Sequence, residues 1–201
     1  MNKNIIHIPF LFAIALLLYS CSAKNITGKY YLQHEKVLDK IEQTYRGLYK
    51  QNPFSLSFTD KVFRTVSLEF HTDTVNYIYE FLVNEPRMKD SLVKYNINDT
   101  GVTQLIDLMH SIHCTWVNNF DYYTDEQKKS LIFISVKPLP FHSFLKPSKY
   151  YILTYYSKPQ SFDSEGRLLD KRKTHRLRKI NGDIFYRIND RVCYTISSQY
   201  R

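Results

Sequence analysis

The stretch Arg176-Leu-Arg-Lys-Ile180-Asn181-Gly182-Asp-Ile184-Phe-Tyr-Arg-Ile188-Asn189-Asp190-Arg-Val192-Cys-Tyr-Thr-Ile-Ser197 decides the fold class. Asn181-Gly182 separates two short runs, and Asn-Gly is the strongest short hairpin signal because both turn residues must take positive φ. Asn189-Asp190 then separates the second run from Val192–Ser197. The spacing predicts a C-terminal meander of three strands, 176–180, 184–188 and 192–197. Upstream, Lys149–Ser157 is a Tyr-rich strand and Leu131–Val136 a short buried one. Further back, Phe54, Leu56 and Phe58 alternate with Ser55, Ser57 and Thr59, and Val66, Leu68 and Phe70 alternate with Ser67 and Glu69. Period-two alternation of this kind gives strands with one buried face. Val75–Val83 fits both periods; its aromatic and β-branched residues favour a strand.

Helical periodicity appears in three places. Leu38, Ile41, Tyr45 and Leu48 recur at three- and four-residue spacing within 31–51, with charges between them, until Asn52-Pro53 ends the run. Pro86 opens a helix to about Tyr95. Val102, Leu105, Ile106, Met109, Ile112, Trp116, Val117 and Phe120 predict another from Asp99 to about Val117. Tyr122–Lys129 reads as a polar turn, 157–170 as a loop with a turn at Asp163–Gly166, and Pro138, Pro140 and Pro147 forbid regular structure around them. The whole is α+β: an antiparallel sheet with a few helices packed on one face.

Composition sets the outer limits. The chain has 201 residues, 43% hydrophobic and 15% aromatic, with 5 Gly, 7 Pro and 3 Cys. That much apolar area excludes a disordered chain, the low Gly and Pro exclude collagen-like material, and three cysteines exclude a disulfide-dense scaffold. The length suits one domain. No Walker-type loop, heptad run or internal repeat is present.

The N-terminus carries Lys3 and then a nearly unbroken apolar run, Ile5–Tyr19, interrupted by His7 and Pro9. At about 1.5 Å per residue that run reaches roughly 22 Å, short of the ~30 Å hydrocarbon core. It therefore reads as the apolar part of a signal peptide. Leu18-Tyr19-Ser20-Cys21 resembles the lipobox of bacterial lipoproteins. The resemblance implies cleavage between Ser20 and Cys21 and a diacylglycerol plus fatty acyl chain on Cys21. It implies no other cofactor. The expected organisation is a signal peptide 1–20, a tether 21–29 and one α+β domain 30–201. Loss of Lys3 would take the net charge from +9 to +8. Ser22 in place of Asp, with no acidic pair after Cys21, implies the outer membrane and its periplasmic face. That compartment is oxidising, so Cys114 and Cys193 are a candidate disulfide worth about 4 kcal/mol for a long loop; the other reading is two separate buried thiols.

No constellation announces chemistry. His110, His113 and Cys114 have helical spacing for zinc ligands, but no fourth ligand is in sight and His113 shares the stripe of Met109 and Trp116. No G-x-S-x-G is present. Glu35, Glu42, Glu69, Glu80 and Glu85 are expected on surfaces, with no pair marked out. The basic stretch is the most unusual feature: Arg167, Lys171, Arg172, Lys173, Arg176, Arg178 and Lys179 stand against Asp170 alone. Arg172, Lys173, Arg176 and Arg178 are the candidate anion-binding residues, for lipid phosphates, acidic glycans or an acidic envelope protein. Nucleic acid does not share the expected compartment. The competing reading is charge that guards a sheet edge. Exposed members of Tyr150, Tyr151, Tyr155 and Tyr156 are candidates for stacking on sugars. Three functions follow as expectations: a membrane-tethered binding or structural module, an inhibitor or immunity-type lipoprotein that uses the Pro-rich loop Lys137–Pro147, and an envelope hydrolase with a polar cleft.

Overall fold

The computed structural model describes residues 7–124, 127–136, 149–170 and 176–198, with side chains throughout except at 7–27, 123, 124 and 127. The chain forms two compact units, 1–35 and 36–201. Helix α1 spans His7–Tyr49. Its backbone is helical through 22–29 as well, where the sequence suggests a tether; no Pro lies within 22–29, and Gly28 costs only about 1 kcal/mol in a helix. Ser20 and Cys21 lie on this helical backbone. Within the first unit Tyr31 donates to Glu35 and Tyr30 contacts His34. Among the described residues no helix is long and apolar enough to cross a membrane.

The second unit is α+β, as the sequence pattern predicts. Its strands are β1 (Phe54–Phe58), β2 (Thr65–His71), β3 (Asn76–Leu82), β4 (Cys114–Thr124), β5 (Gln127–Val136), β6 (Tyr150–Tyr156), β7 (Lys179–Ile180), β8 (Asp183–Ile184), β9 (Tyr186–Arg187) and β10 (Val192–Ser197), with helices α2 (Pro86–Lys94) and α3 (Asp99–Ser111) between β3 and β4. Eight strands form one sheet in the order β3-β2-β1-β4-β5-β6-β10-β9, and β7 pairs with β8 apart from it. Every pairing is antiparallel.

Register assigns the two faces. Phe54, Leu56 and Phe58 lie opposite Phe70, Leu68 and Val66, and Leu56 lies opposite Val117, which faces Ile134. This face receives the helices: Leu38, Ile41, Leu92, Val102, Leu105 and Met109 are all fully buried. The Tyr45 hydroxyl donates to the Phe54 carbonyl and accepts the Asn119 N–H, so α1 clasps β1 and β4 together. The ring of Phe70 stacks on Tyr95 at the end of α2, 4.2 Å between centroids. At the start of α3 the Asn98 side chain accepts from Gly101 N–H at 2.7 Å, and a Cβ on Gly101 would sit 2.8 Å from Leu48 Cδ2. Any larger residue at 101 would push the Leu48 side chain aside where α3 meets α1.

Two expectations between α3 and β5 are corrected. The third predicted helix stops at Ser111, not near Val117, because His113 takes φ 54° and turns the chain into β4. The polar turn 122–129 is instead the tip of the long β4–β5 hairpin, whose register pairs Tyr122 with Lys129 and Thr124 with Gln127. Its polarity reflects exposed strand ends, with Lys128 and Asp121 in a 2.8 Å ion pair. The meander β6-β10-β9 is present, but the run 184–188 breaks at Phe185, whose ring is only 2% exposed. One half therefore pairs with β7, the other with β10. The Pro-rich segment Lys137–Pro147 lies outside the described residues.

Candidate functional site

The helix-free face of the sheet is not bare. On β4 it presents Trp116, Asn118, Phe120 and Tyr122, on β5 Leu131, Phe133 and Ser135, on β6 Ile152, Thr154 and Tyr156, and on β10 Cys193, Thr195 and Ser197. Residues 157–170 and 176–185 fold over it and add Leu168, Ile180 and Phe185, which join Leu131, Phe133, Ile152, Tyr156 and Cys193 in a second core. The loop is organised around Asp163, whose carboxylate accepts from the backbone N–H of Glu165 (3.0 Å) and Arg167 (2.8 Å) and from Arg167 Nε (2.7 Å). Partial desolvation opposes these bonds, yet they hold the Asp163 carboxyl below its ordinary pKa. Gly166, at φ 76°, makes the turn that delivers its carbonyl to Arg187 N–H at 2.7 Å.

This second layer does not close everywhere. Between the β4–β6 surface and the Asn181-Gly182 hairpin lies a cleft of about 240 Å³. Its wall is aromatic: Trp116 stacks on Phe133 (6.3 Å, 19°), and Phe120 and Phe185 meet the same Phe133 ring edge-on at 5.9 and 6.3 Å. Its polar lining comes from Asn118, Asn181, Asp183 and Ser197. The Asn118 Oδ1 atom is buried and has no hydrogen-bond partner. A buried acceptor without a donor costs about 1–3 kcal/mol unless something else supplies one. Aromatic faces beside an amide, a carboxylate and a hydroxyl can bury the apolar face of a ring and satisfy polar groups at its edge.

A wider depression of about 480 Å³ lies between β2, β3 and α3, lined by Phe63, Arg64, Asn84, Asp107 and His110 among others. Phe63 and Asn84 both take positive φ there, 58° and 67°. Its charged side chains are all exposed, so nothing in it is desolvated and poised.

The sequence-predicted sites fare unequally. Arg172 and Lys173 lie outside the described residues. Arg176 is exposed. Arg178 is half-buried, its guanidinium over the rings of Tyr122 (4.5 Å) and Tyr156 (5.6 Å), so it packs the second core instead of waiting free for an anion. Burial pushes the Tyr122 and Tyr156 hydroxyls up, against the pull of Arg178. The candidate disulfide is absent: Cys114 and Cys193 are both free and buried. Cys114 lies opposite Val136 on the helix-covered face, and Cys193 opposite Thr154 on the other, with β5 and β6 between their strands. At about 4.8 Å per strand they stand far beyond the ~7 Å limit for a bridge. His110 and His113 are exposed and meet the Phe63 ring edge-on at 5.9 and 5.5 Å. Among the described residues no three His, Cys, Asp or Glu come together as a metal site. Glu42, expected on the surface, is 7% exposed and paired with Arg46.

Sequence reasoning missed the cleft because it placed Trp116 and Phe120 on a helix. The signal was there: Trp116, Phe120 and Tyr122 also sit at even spacing, the period of one strand face. No protein family, curated protein or solved structure matches the chain.

Proposed function

We propose that the chain is a lipid-anchored envelope lipoprotein whose folded unit, 36–201, is a binding module for a sugar ring of an acidic envelope glycan. The single observation that carries the binding reading is a cleft lined by Asn118, Trp116, Phe133 and Phe185, beside which the Asn118 Oδ1 is buried and partnerless. A sugar hydroxyl supplies the missing donor while its C–H face lies on an aromatic ring. The acidic character of the ligand is supported by the basic stretch that runs into the cleft wall: Arg176 and Lys179 are exposed, and Ile180 follows directly as a lining residue. Exposed cations of this kind speed and steer an anionic partner in a salt-dependent way. The anchor is supported by Leu18-Tyr19-Ser20-Cys21 behind an apolar run too short to span a bilayer, the outer membrane by Ser22 in place of Asp, and its periplasmic face by the lack of an acidic pair after Cys21.

The chain contains one tryptophan, Trp116, and it lines the cleft. Its emission therefore reports occupancy directly. Titration of the full-length protein with acidic envelope glycans is expected to give a saturable emission change, weaker at high salt and reduced at least tenfold in affinity in Asn118→Leu. Asn118→Leu removes an orphaned acceptor, so its folding stability should hold or rise. Emission that no glycan alters sinks the ligand assignment. For the anchor, Cys21→Ala is expected to abolish incorporation of labelled fatty acid, and continued incorporation sinks that part alone.

A further inference from the structure

Among the described residues β3 is an edge strand whose outer edge pairs with no other strand. Natural edge strands are kept short or carry lysine or proline against pairing with other chains. The opposite edge, β9, has only two residues. β3 has seven, Asn76–Leu82, with Glu80 as the single charge, and Ile78 is 62% and Tyr77 43% exposed.

Hydrogen-bond parity identifies which groups are unused. Val83 N–H donates to Arg64 O and Thr72 N–H to Val75 O, so the odd residues of β3 face β2. The N–H and C=O groups of Asn76, Ile78, Glu80 and Leu82 point away from the sheet. Leu82 is already taken: its N–H donates to the Glu85 carboxylate at 2.9 Å and its carbonyl accepts Glu85 N–H. At the other end Thr72 and Val75 close a turn. What remains is a bounded window of three residues, Asn76, Ile78 and Glu80, with six outward backbone groups.

We infer that the chain forms a homodimer by antiparallel pairing of β3 with β3 of a second copy, with the two-fold axis at Ile78. In this register Ile78 meets Ile78 and Asn76 meets Glu80 of the other copy, twice. All six open groups pair and none that is occupied is needed. Shifting the strands by two residues fails: one direction needs Leu82, whose groups Glu85 holds, and the other needs Thr74, inside the turn. The chosen register also sets the Asn76 amide beside a carboxylate, covers the exposed Ile78 pair, and places Tyr77 against Tyr79 on the helix-bearing face. The surface is thus self-complementary, as a two-fold interface must be. The inference is independent of the glycan reading.

The register makes a crosslinking test sharp. Directly opposed residues of a hydrogen-bonded pair have Cα atoms about 5.5 Å apart, within disulfide range. Oxidation of the full-length Ile78→Cys chain is expected to give a covalent product of twice 24.0 kDa, at least tenfold above Val93→Cys, a site 66% exposed on α2. The unsubstituted chain sets the background from its native cysteines. Asn76→Cys is expected to link to Glu80→Cys in a mixture of the two and not to itself. Ile78→Lys, at an exposed position that leaves the monomer fold intact, is expected to sediment as a monomer. Yields at Ile78→Cys equal to Val93→Cys, self-linking of Asn76→Cys, or a monomeric unsubstituted chain would each overturn the dimer.

Discussion

Tyr45 ties one helix to two strands. Its hydroxyl joins the Phe54 carbonyl to the Asn119 N–H inside the core, and burial, with Tyr49 nearby, pushes its pKa well up. It therefore stays a neutral donor. Tyr45→Phe keeps the ring but strands a buried carbonyl and a part-buried N–H, so it should cost about 1–3 kcal/mol. A urea denaturation midpoint that falls at unchanged slope checks this; an unchanged midpoint refutes it. The sign of the pH effect follows. A tyrosine whose folded pKa is raised contributes stability that is complete below its unfolded pKa, about 10, and is lost as pH rises through the folded value. Stability should fall above pH 10, and less steeply in Tyr45→Phe.

At the scale of elements, Arg178 belongs to the second layer and Arg176 does not. Arg178 spans Tyr122 and Tyr156, while Arg176 is exposed. Arg178→Ala should lower stability by about 1–2 kcal/mol through lost cation–π contact and stem packing. Arg176→Ala should stay within about 0.5 kcal/mol. Thermal melts of the two variants decide it, and equal shifts remove Arg178 from the core. The same elements show what the sequence could disclose. β1, β2 and β6 are legible because one face is apolar throughout. β3 is legible as a strand because Tyr, Ile and Phe outweigh its helical option. β4 is not, since Trp116 and Phe120 satisfy both a four-residue and a two-residue period. The stop before it is carried by His113 at φ 54°, where glycine or asparagine would have announced a helix end.

For the whole molecule, the central fact is one sheet with two unlike coverings. The helix layer was readable from helical stripes. The other layer was not, because Leu168, Ile180 and Phe185 come from loops and two-residue strands with no period to detect, and the cleft arises only where that layer meets β4. The two buried thiols report on the layers separately. Burial pushes both up to about 12, Cys114 beneath the helices and Cys193 beneath the loops. Neither should react at pH 8 without local opening. Residue-resolved thiol labelling in mild denaturant should modify Cys193 first, because short strands and isolated bridges hold its cover. Simultaneous modification would make the two layers one cooperative unit. The seam where β1 meets β4 has a different consequence. Only Leu56–Val117 and Ser57–Trp116 define its register, whereas β1-β2-β3 and β4-β5-β6 are each built from neighbours in the chain. Hairpins form within about 1–10 microseconds, whereas bringing the two halves together requires closure of the whole α2–α3 excursion, so pairing at that seam should be the slower step. A chain synthesised from its N-terminus holds β1–β3 with two unpaired margins until β4 emerges. In that interval aggregation competes with folding.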